Sequence, residues 1–430
     1  MTSSTSRPQA SLDEVAHLAL RIGRLLFTSG ADTAETVARI ERLAADLGVS
    51  IELDVSAERL LLTVRSGESY RTKIGHPLTG AGVDMQRLAA LGDVMAALSS
   101  GQIALAEAER RIAALETAGP LYPRWLAVPA VAMTTACLAR LFGAEWAVVS
   151  AAFLAGAVST LLRRTAAIRA LNPIAGAFLL TVTSGLFGAL LLKGAPDTAP
   201  ALCLVAAGMI LVPGVPLING ISDIANGHPG VGLARLATGT ATVVAIGFGL
   251  FVAATLAGDT LPVAGTPQSL PVLQDLVISG LAAIGYAVLF SVPPRAIWLC
   301  VLCGMAGHGV RTALEAGGVE IAAATLIAAA IAGALAVAAG RWLRLPWTAF
   351  AFPGVVAMVP GSYAFRAALG ALSIMVQGAE ASASLVAGTL ALGIAAFVMT
   401  AAIAAGLLLA SAGSRWLTRL VSVATDGSRP

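Results

Sequence analysis

Residues 211–223 read LVPGVPLINGISD and place two prolines and a glycine inside a long apolar run. Pro213-Gly214 and Pro216 are residue types that interrupt a helix, because proline lacks a backbone N–H and glycine weakens helical structure. A helix broken inside a membrane leaves backbone carbonyls and amides available, and transporters hold the ammonium and carboxylate of small solutes with these groups. The segment therefore predicts a broken membrane helix with a substrate site at its break.

A second segment of this kind lies in a later apolar run, where FPG at 352–354 and VPGS at 359–362 repeat the pairing of proline with glycine. Corresponding breaks in two halves of a chain indicate a site at the membrane midplane. We expect the break at Pro353-Gly354 to meet the break at Pro213-Gly214 there. A tolerated proline kink is the alternative for either segment, because transmembrane helices accommodate proline.

Polar side chains next to the two segments are candidate substrate ligands. Asn219 precedes Asp223 by four residues and shares its helical face. Ser362 and Tyr363 could supply hydroxyls and Arg366 a cation; the alternative is an interfacial tyrosine and an arginine that snorkels to the membrane surface. The predicted substrate-binding set is Pro213, Gly214, Asn219, Pro360, Gly361, Ser362 and Tyr363.

Asp223 is the one acidic residue that the sequence places firmly inside an apolar run of the carboxyl-terminal part. An intramembrane carboxylate costs about 3 kcal/mol on insertion scales and marks a functional candidate. We expect Asp223 to carry the coupled proton. The alternative is a structural role at the membrane rim, as the ion-pair partner of Arg235. His308 is a secondary proton candidate or a packed core histidine, and Asn172 is a secondary substrate candidate or a helix start.

Apolar runs of about 20 residues recur from Leu121 onward, which is the length that crosses about 30 Å of hydrocarbon. The chain has 430 residues, of which 57% are hydrophobic and only 12% are charged. We count ten such runs, and backbone groups in lipid must bond internally, so they are predicted to be helices. The fold class is a membrane all-α protein with two inverted five-helix repeats, at 121–258 and at 276–430 including a short cytoplasmic tail. An odd number of spans per repeat inverts the second repeat.

The first 120 residues form a different kind of domain. They hold 15 of the 24 acidic residues and 12 of the 27 basic ones, a net charge of −3 that excludes a nucleic-acid-binding surface. Helical spacing at 12–47, 84–98 and 102–117 and alternation at 49–55, 60–64 and 70–74 predict a small α+β domain with a three-stranded meander. Without an apolar leader it should stay in the cytoplasm, and the excess of arginine in alternate loops puts both termini there.

Several classes of enzyme lack their sequence signatures in this chain. No Walker A motif, HExxH or dinucleotide fingerprint occurs, so we expect a gradient to drive transport. Four cysteines in apolar segments lack zinc spacing, and the sequence predicts neither a metal site nor a cofactor. Two alternatives remain open: a membrane-embedded enzyme with a hydrolase-like cytosolic domain, and a small-solute channel. The sequence also leaves open whether the chain forms a homo-oligomer.

The motifs together resemble the threonine/serine exporter family, ThrE. The run LRIGRLL at 20–26, followed by SGADT at 29–33 and Glu35, is similar to its soluble motif; residues 211–223 resemble its most distinctive membrane motif, and 353–362 its counterpart. The resemblance implies a bacterial inner-membrane exporter of threonine and serine driven by the proton gradient. It also implies two separable membrane halves, because a split form of the family carries them on separate chains.

Overall fold

The computed structural model of the chain describes residues 12–66, 69–78, 82–193, 200–258 and 270–426. It contains two compact units. The first unit comprises Met1–Leu121 with Ser222–Arg235, and the second comprises Tyr122–Ile221 with Leu236–Pro430. A segment that the sequence assigns to the first membrane repeat therefore clusters with the amino-terminal residues.

The first unit combines four helices with one antiparallel sheet. Its elements are α1 (Leu12–Thr28), α2 (Thr33–Asp46), β1 (Ser50–Val55), β2 (Leu60–Ser66), β3 (Ser69–Ile74), α3 (Met85–Ser99) and α4 (Leu105–Thr117). The strand order is β1-β2-β3, with Leu53 opposite Leu62 and Thr63 opposite Thr72. The predicted three-stranded meander, with helices before and after it, is confirmed.

The core of this unit is formed by apolar side chains that recur at helical spacing on α1 and at strand spacing on β2. Leu18, Ile22 and Leu26 follow one another at four-residue spacing on α1 and are fully buried, as are Leu60 and Leu62 on β2. Side chains at alternate strand positions point to the same face of a sheet, so the two β2 leucines meet the apolar face of α1. Burial of each such side chain contributes about 1.5–3 kcal/mol.

The described residues after Leu121 are helical, and their helices recur in two sets. The first set is α5 (Arg124–Leu141), α6 (Trp146–Arg163), the short α7 (Ala166–Arg169), α8 (Pro173–Leu191), α9 (Pro200–Met209), α10 (Gly214–Ala225) and α11 (Pro229–Ala257). The second set is α12 (Val272–Leu289), α13 (Ile297–Ala316), α14 (Ile321–Leu343), α15 (Thr348–Val355), α16 (Gly361–Gln377) and α17 (Ala383–Asp426). Apart from α7, each set has one divided member, α9–α10 and α15–α16.

Among the described residues, seven helices are long and apolar enough to cross a membrane, or eight if the bent α15–α16 pair is one span. This composition makes the chain a multi-pass membrane protein. Two of the ten expected spans are absent from that set: α5 and the α9–α10 pair. Arg124 and Arg140 lie near the two ends of α5 and lower its hydropathy, while α9 and α10 are each shorter than 18 residues.

Small residues and a buried hydroxyl bring α5 and α12 together. The Thr134 hydroxyl of α5 donates a hydrogen bond of 3.1 Å to the Ala282 carbonyl of α12. A Cβ added at Gly285 would collide with the same threonine. Close approach at small residues is the usual way in which membrane helices associate, because lipid supplies no hydrophobic drive between them.

Candidate functional site at two helix breaks

The first break separates α9 from α10. The Gly214 N–H donates to the Val212 carbonyl over 2.8 Å, and the Leu217 N–H donates to the Pro213 carbonyl over 3.1 Å. The chain thus turns tightly at Pro213 and starts a new helix directly after it. The prediction of a broken helix in this segment is confirmed.

The second break lies between α15 and α16 and has the same hydrogen bonds. A short 3₁₀ turn at Val356–Met358 follows α15, and the Gly361 N–H then donates to the Val359 carbonyl over 2.7 Å. The Ala364 N–H donates to the Pro360 carbonyl over 3.0 Å. Pro360 has φ −77° and ψ 52°, which is close to an inverse γ-turn. The two helical parts are bent by 46° at this point.

The sequence placed the matching break at Pro353-Gly354, and this is wrong: Pro353 lies inside α15. A proline within a helix leaves the carbonyl four residues earlier without its usual donor. The Cys300 thiol on α13 lies 3.4 Å from that carbonyl, on Ala349, and donates to it. Pro353 is therefore accommodated inside α15, which ends at Val355, and the tight turn of the break lies at Pro360.

The two breaks contact each other reciprocally. A Cβ added at Gly214 would lie 3.3 Å from a Val359 methyl, and a Cβ added at Gly361 would lie 3.1 Å from a Val212 methyl. Each glycine therefore packs against the valine that precedes the other break's proline. This arrangement relates the two segments by an approximate twofold symmetry, and a side chain at either glycine would force the facing valine to shift.

The electrostatics of the paired breaks suit an anionic group. Both α10 and α16 begin at a break, and the amino-terminal end of a helix carries a partial positive charge with unsatisfied N–H groups. Pro216 removes one such donor from α10, so α16 offers more backbone donors than α10 does. A carboxylate at the amino-terminal end of either helix would be stabilised without any charged side chain.

The predicted ligands lie on the helices that follow the breaks. Ser362 is in the first turn of α16 and is only 4% exposed, while Asn219 is on α10 and is 5% exposed. Tyr363 and Arg366 on α16 are half-buried, and Asn219 and Arg366 also make polar interactions within the protein. The structure thus brings the breaks together with two buried polar side chains next to them.

Asp223 lies on α10, in the part of that helix that belongs to the first unit. Its side chain is fully buried, and one carboxylate oxygen accepts a hydrogen bond of 2.8 Å from the Thr33 N–H, the first residue of α2. The other oxygen lies 3.3 Å from Nη1 of Arg235, at ion-pair distance without hydrogen-bond alignment. Asp223 therefore caps a helix of the amino-terminal domain as well as pairing with Arg235.

The loop before α2 also contacts Arg235. We call the contacts of Asp223 and Arg235 with residues 27–33 the Asp223 junction. Arg235 donates to the Ala31 carbonyl over 3.0 Å, and its guanidinium lies 4.2 Å from the centre of the Phe27 ring. Gly30 has φ +107°, a region that favours glycine. The motif SGADT and the motif GISD, which the sequence shows 190 residues apart, are thus joined by direct contacts.

The structure places the secondary candidates Asn172 and His308 in different surroundings. The exposed Asn172 side chain accepts from the Ala175 N–H over 2.8 Å and so caps α8 as a helix start. His308 is 2% exposed, and its Nδ1 lies 2.9 Å from the Asp275 carboxylate. Sequence reasoning missed Asp275, which it placed at the end of a loop. Polar residues four apart on successive apolar helices, Asp275 with Ser279 and His308 with Thr312, were the available signal.

Comparisons with known proteins cover most of the chain. A family model described as "Putative threonine/serine exporter" matches residues 17–257, and a second, "Threonine/Serine exporter, ThrE", matches residues 275–412. The protein named "Probable succinate transporter subunit YjjP" from Klebsiella aerogenes is 28% identical over 251 residues, which cover 57% of this chain and 94% of that protein. Its namesake from Escherichia coli K12 is 29% identical over 252 residues, covering 57% and 95%. No solved structure matches the chain.

These matches agree with the motifs at 20–35, 211–223 and 353–362 and with the apolar helices of the second unit. The family and the relatives are transporters, which points away from an enzyme. The chain belongs to the threonine/serine exporter family, ThrE.

Proposed function

We propose that the chain is a secondary active exporter of small hydroxylated amino acids, threonine and serine, that moves each substrate in exchange for protons. The observation that carries the proposal is the reciprocal packing of Gly214 on Val359 and of Gly361 on Val212. Two broken helices that meet at their breaks form the kind of site in which transporters bind substrate. Localisation in a bacterial inner membrane, with both termini cytoplasmic, is part of this proposal.

The substrate carboxylate is proposed to lie at the amino-terminal ends of α10 and α16. Asn219, Ser362 and Tyr363 would hydrogen-bond the rest of the substrate, including its hydroxyl, with the backbone at Pro213, Gly214, Pro360 and Gly361 around it. Alanine lacks that hydroxyl and would leave buried polar groups unpaired, which is a strong basis for discrimination. Arg366 and Asn172 stay secondary candidates.

Proton coupling is assigned in this proposal to Asp223. Its support is the complete burial of the carboxylate and the ion pair with Arg235. The proton affinity of a carboxyl group changes when it moves between wet and dry surroundings, so Asp223 could load a proton in one conformation and release it in another. Competition between Arg235 and a proton for the same carboxylate would link the two states.

We further propose ten spans in two inverted repeats, 121–258 and 276–430, after a cytoplasmic domain at 1–120. The support is the matching order of helices: α5, α6, α8, α9–α10 and α11 correspond to α12, α13, α14, α15–α16 and α17. The divided member is fourth in both sets. An odd number of spans per repeat would give the repeats opposite orientations.

A dicarboxylate such as succinate is a second candidate substrate. The relatives named as succinate transporter subunits favour it. Two helix amino termini at one site could also stabilise two carboxylates. The hydroxyl-binding role of Ser362 separates the two candidates, because succinate has no hydroxyl.

The proposal is tested with the full chain in liposomes loaded with labelled threonine, serine, alanine or succinate. Efflux of threonine and serine should exceed that of alanine at least about tenfold, as expected when unpaired polar groups reject the analogue. An imposed pH gradient should accelerate that efflux. Ser362→Ala, which removes a proposed ligand of the substrate hydroxyl, should reduce this preference for threonine and serine. Gly388→Ala is its control and should keep the preference, since a Cβ at Gly388 meets nothing within 4 Å. Preference for succinate would replace the substrate assignment, and efflux indifferent to the pH gradient would overturn proton exchange.

A further inference from the structure

A second buried titratable pair lies in the second half of the membrane unit, away from the residues assigned above. Asp275 is in the first turn of α12 and is 6% exposed, and His308 on α13 is 2% exposed. Nδ1 of His308 lies 2.9 Å from a carboxylate oxygen of Asp275. Charged residues are seldom buried unless they are paired. The burial of Asp275 and His308 against each other is therefore a specific feature that needs an explanation.

Further charged groups surround this pair on the same helices. Arg311 and Glu315 of α13 lie 3.4 Å apart; both interact electrostatically with Asp275, and Glu315 also interacts with His308. Glu320, which caps α14, lies near Glu315. Within the described part of the chain, Nε2 of His308, Nε of Arg311 and Oε1 of Glu315 are buried without hydrogen-bonding partners. A structural pair would use its polar atoms more completely.

The hydrogen bond fixes which ring nitrogen is available. Asp275 as an acceptor selects the tautomer with the proton on Nδ1, and this leaves the lone pair of Nε2 free. A proton can add to Nε2 with no other bond formed or broken, giving an imidazolium beside a carboxylate. The added positive charge is stabilised by the carboxylates of Asp275 and Glu315. Protonation of His308 would therefore change the net charge of the whole cluster by one.

We propose that Asp275 and His308 form a proton-binding site in the second membrane half, and that Nε2 of His308 takes up and releases the exchanged proton. The inference rests on the proposed function for its coupling to transport. Asp275 and His308 lie towards those ends of α12 and α13 that are remote from their short connection at 290–296. In the proposed topology these ends face away from the cytoplasm, so the site would exchange protons with the outer side while Asp223 serves the inner side.

Proton binding can be measured apart from transport. The chain has four histidines, and His17 and His76 are exposed while His228 is half-buried. In purified ¹⁵N-histidine-labelled protein, the variants His17→Gln, His76→Gln and His228→Gln assign three ring signals, and the remaining signal belongs to His308. Over the pH range in which the protein stays folded, that signal should change from its neutral to its protonated position, and Asp275→Asn should alter how this change depends on pH. A His308 signal that is the same throughout this range overturns the site.

Transport supplies the second measurement. In liposomes, His308→Gln should reduce proton movement per exported substrate about tenfold, whereas His76→Gln, an exposed control, should match the wild type. Proton movement that is unchanged in His308→Gln would overturn the coupling role. If the wild type itself moves no protons while His308 still titrates, the proposed function fails and the proton-binding site stands.

Discussion

Asp223 accepts a 2.8 Å hydrogen bond from the backbone N–H of Thr33, and its second oxygen pairs with Arg235. The same carboxylate is thus the proposed proton carrier and a cap of a helix in the amino-terminal domain. Breaking one side of a buried pair leaves an unpaired charge, so a purely structural role predicts that removing both charges restores function. A coupling role predicts that function stays lost.

Asp223→Asn should abolish export driven by a pH gradient and retain exchange of threonine without a gradient. Asparagine keeps the volume and can still accept from Thr33, but it cannot carry a proton. Vesicle efflux and exchange assays measure the two activities. In the double variant Asp223→Asn with Arg235→Gln, no charge is left unpaired, so recovery of pH-driven export would assign Asp223 a structural role only.

Thr33→Pro should weaken the Asp223 junction more than Thr33→Val does. Proline at the first position of a helix removes the N–H whose hydrogen bond Asp223 accepts, and both variants lose the threonine hydroxyl. Asp32 before it already has an extended backbone with φ −75° and ψ 170°. A hydrogen bond to a charged group contributes about 1.5–3 kcal/mol. Hydrogen exchange of peptides covering Thr33–Asp46 should be faster in the proline variant. Valine keeps the N–H, and equal exchange in both variants would contradict this role of the hydrogen bond.

Gly214→Val and Gly361→Val should each impair transport and destabilise the membrane unit by about 1–3 kcal/mol, because added side-chain volume overfills close contacts. The nearest valine methyls lie 3.3 Å and 3.1 Å from the two added Cβ positions. Gly388→Val is the control at an open position of α17. Thermal unfolding in detergent and vesicle efflux measure both effects. Control-like behaviour of the two variants would remove the paired breaks as the substrate site.

The proposed topology predicts the side from which single cysteines are labelled. The four native cysteines are buried, and Leu171 and Ala379 are exposed. Leu171→Cys should react with an impermeant maleimide only after the cytoplasmic side is opened, and Ala379→Cys should react in intact cells. Labelling of both positions from the same side would be incompatible with ten spans.

Acid should loosen α4 through Glu116. Burial raises the pKa of this carboxyl, but hydrogen bonds from Arg21 and Arg24 outweigh it and lower the pKa below its usual value. A lowered folded-state pKa contributes stability that is fully present above the unfolded value of about 4.3 and lost as pH falls through the folded value. Exchange of peptides covering Leu105–Thr117, corrected for intrinsic rates, should be constant from neutral pH to about pH 5 and faster below about pH 4. In Glu116→Gln this acid-dependent step should disappear.

Local patterns predict the elements of this protein well. The three strands and the helices at 12–47, 84–98 and 102–117 follow from spacing of apolar residues, and Pro213-Gly214 marks a real break. Contacts between distant segments do not follow from such patterns. Pro353 looks like Pro360 in sequence, but it lies inside α15, where the Cys300 thiol of another helix reaches the Ala349 carbonyl that Pro353 leaves without a donor.

The partners of the charged residues of the site likewise do not follow from local sequence patterns. Asp223 stands out in sequence because it lies in an apolar run, but its partner Thr33 is 190 residues away. Asp275 looks like a loop acid because it begins a helix, and its burial depends on His308, which reaches it from the following helix. Sequence gives the residue types at each position, whereas pairing depends on how helices pack.

The reciprocal glycine–valine contact also has a consequence for assembly. Its two surfaces come from two halves of one polypeptide, so their encounter is intramolecular and is governed by an effective concentration that, for flexibly linked partners, reaches about the millimolar range. Equal amounts of both halves are guaranteed by translation of a single message. Separate halves would instead have to find each other in the bilayer at the density at which they are expressed. Fusion therefore makes completion of the site independent of expression level, and a cut within 259–269 should make it dependent again.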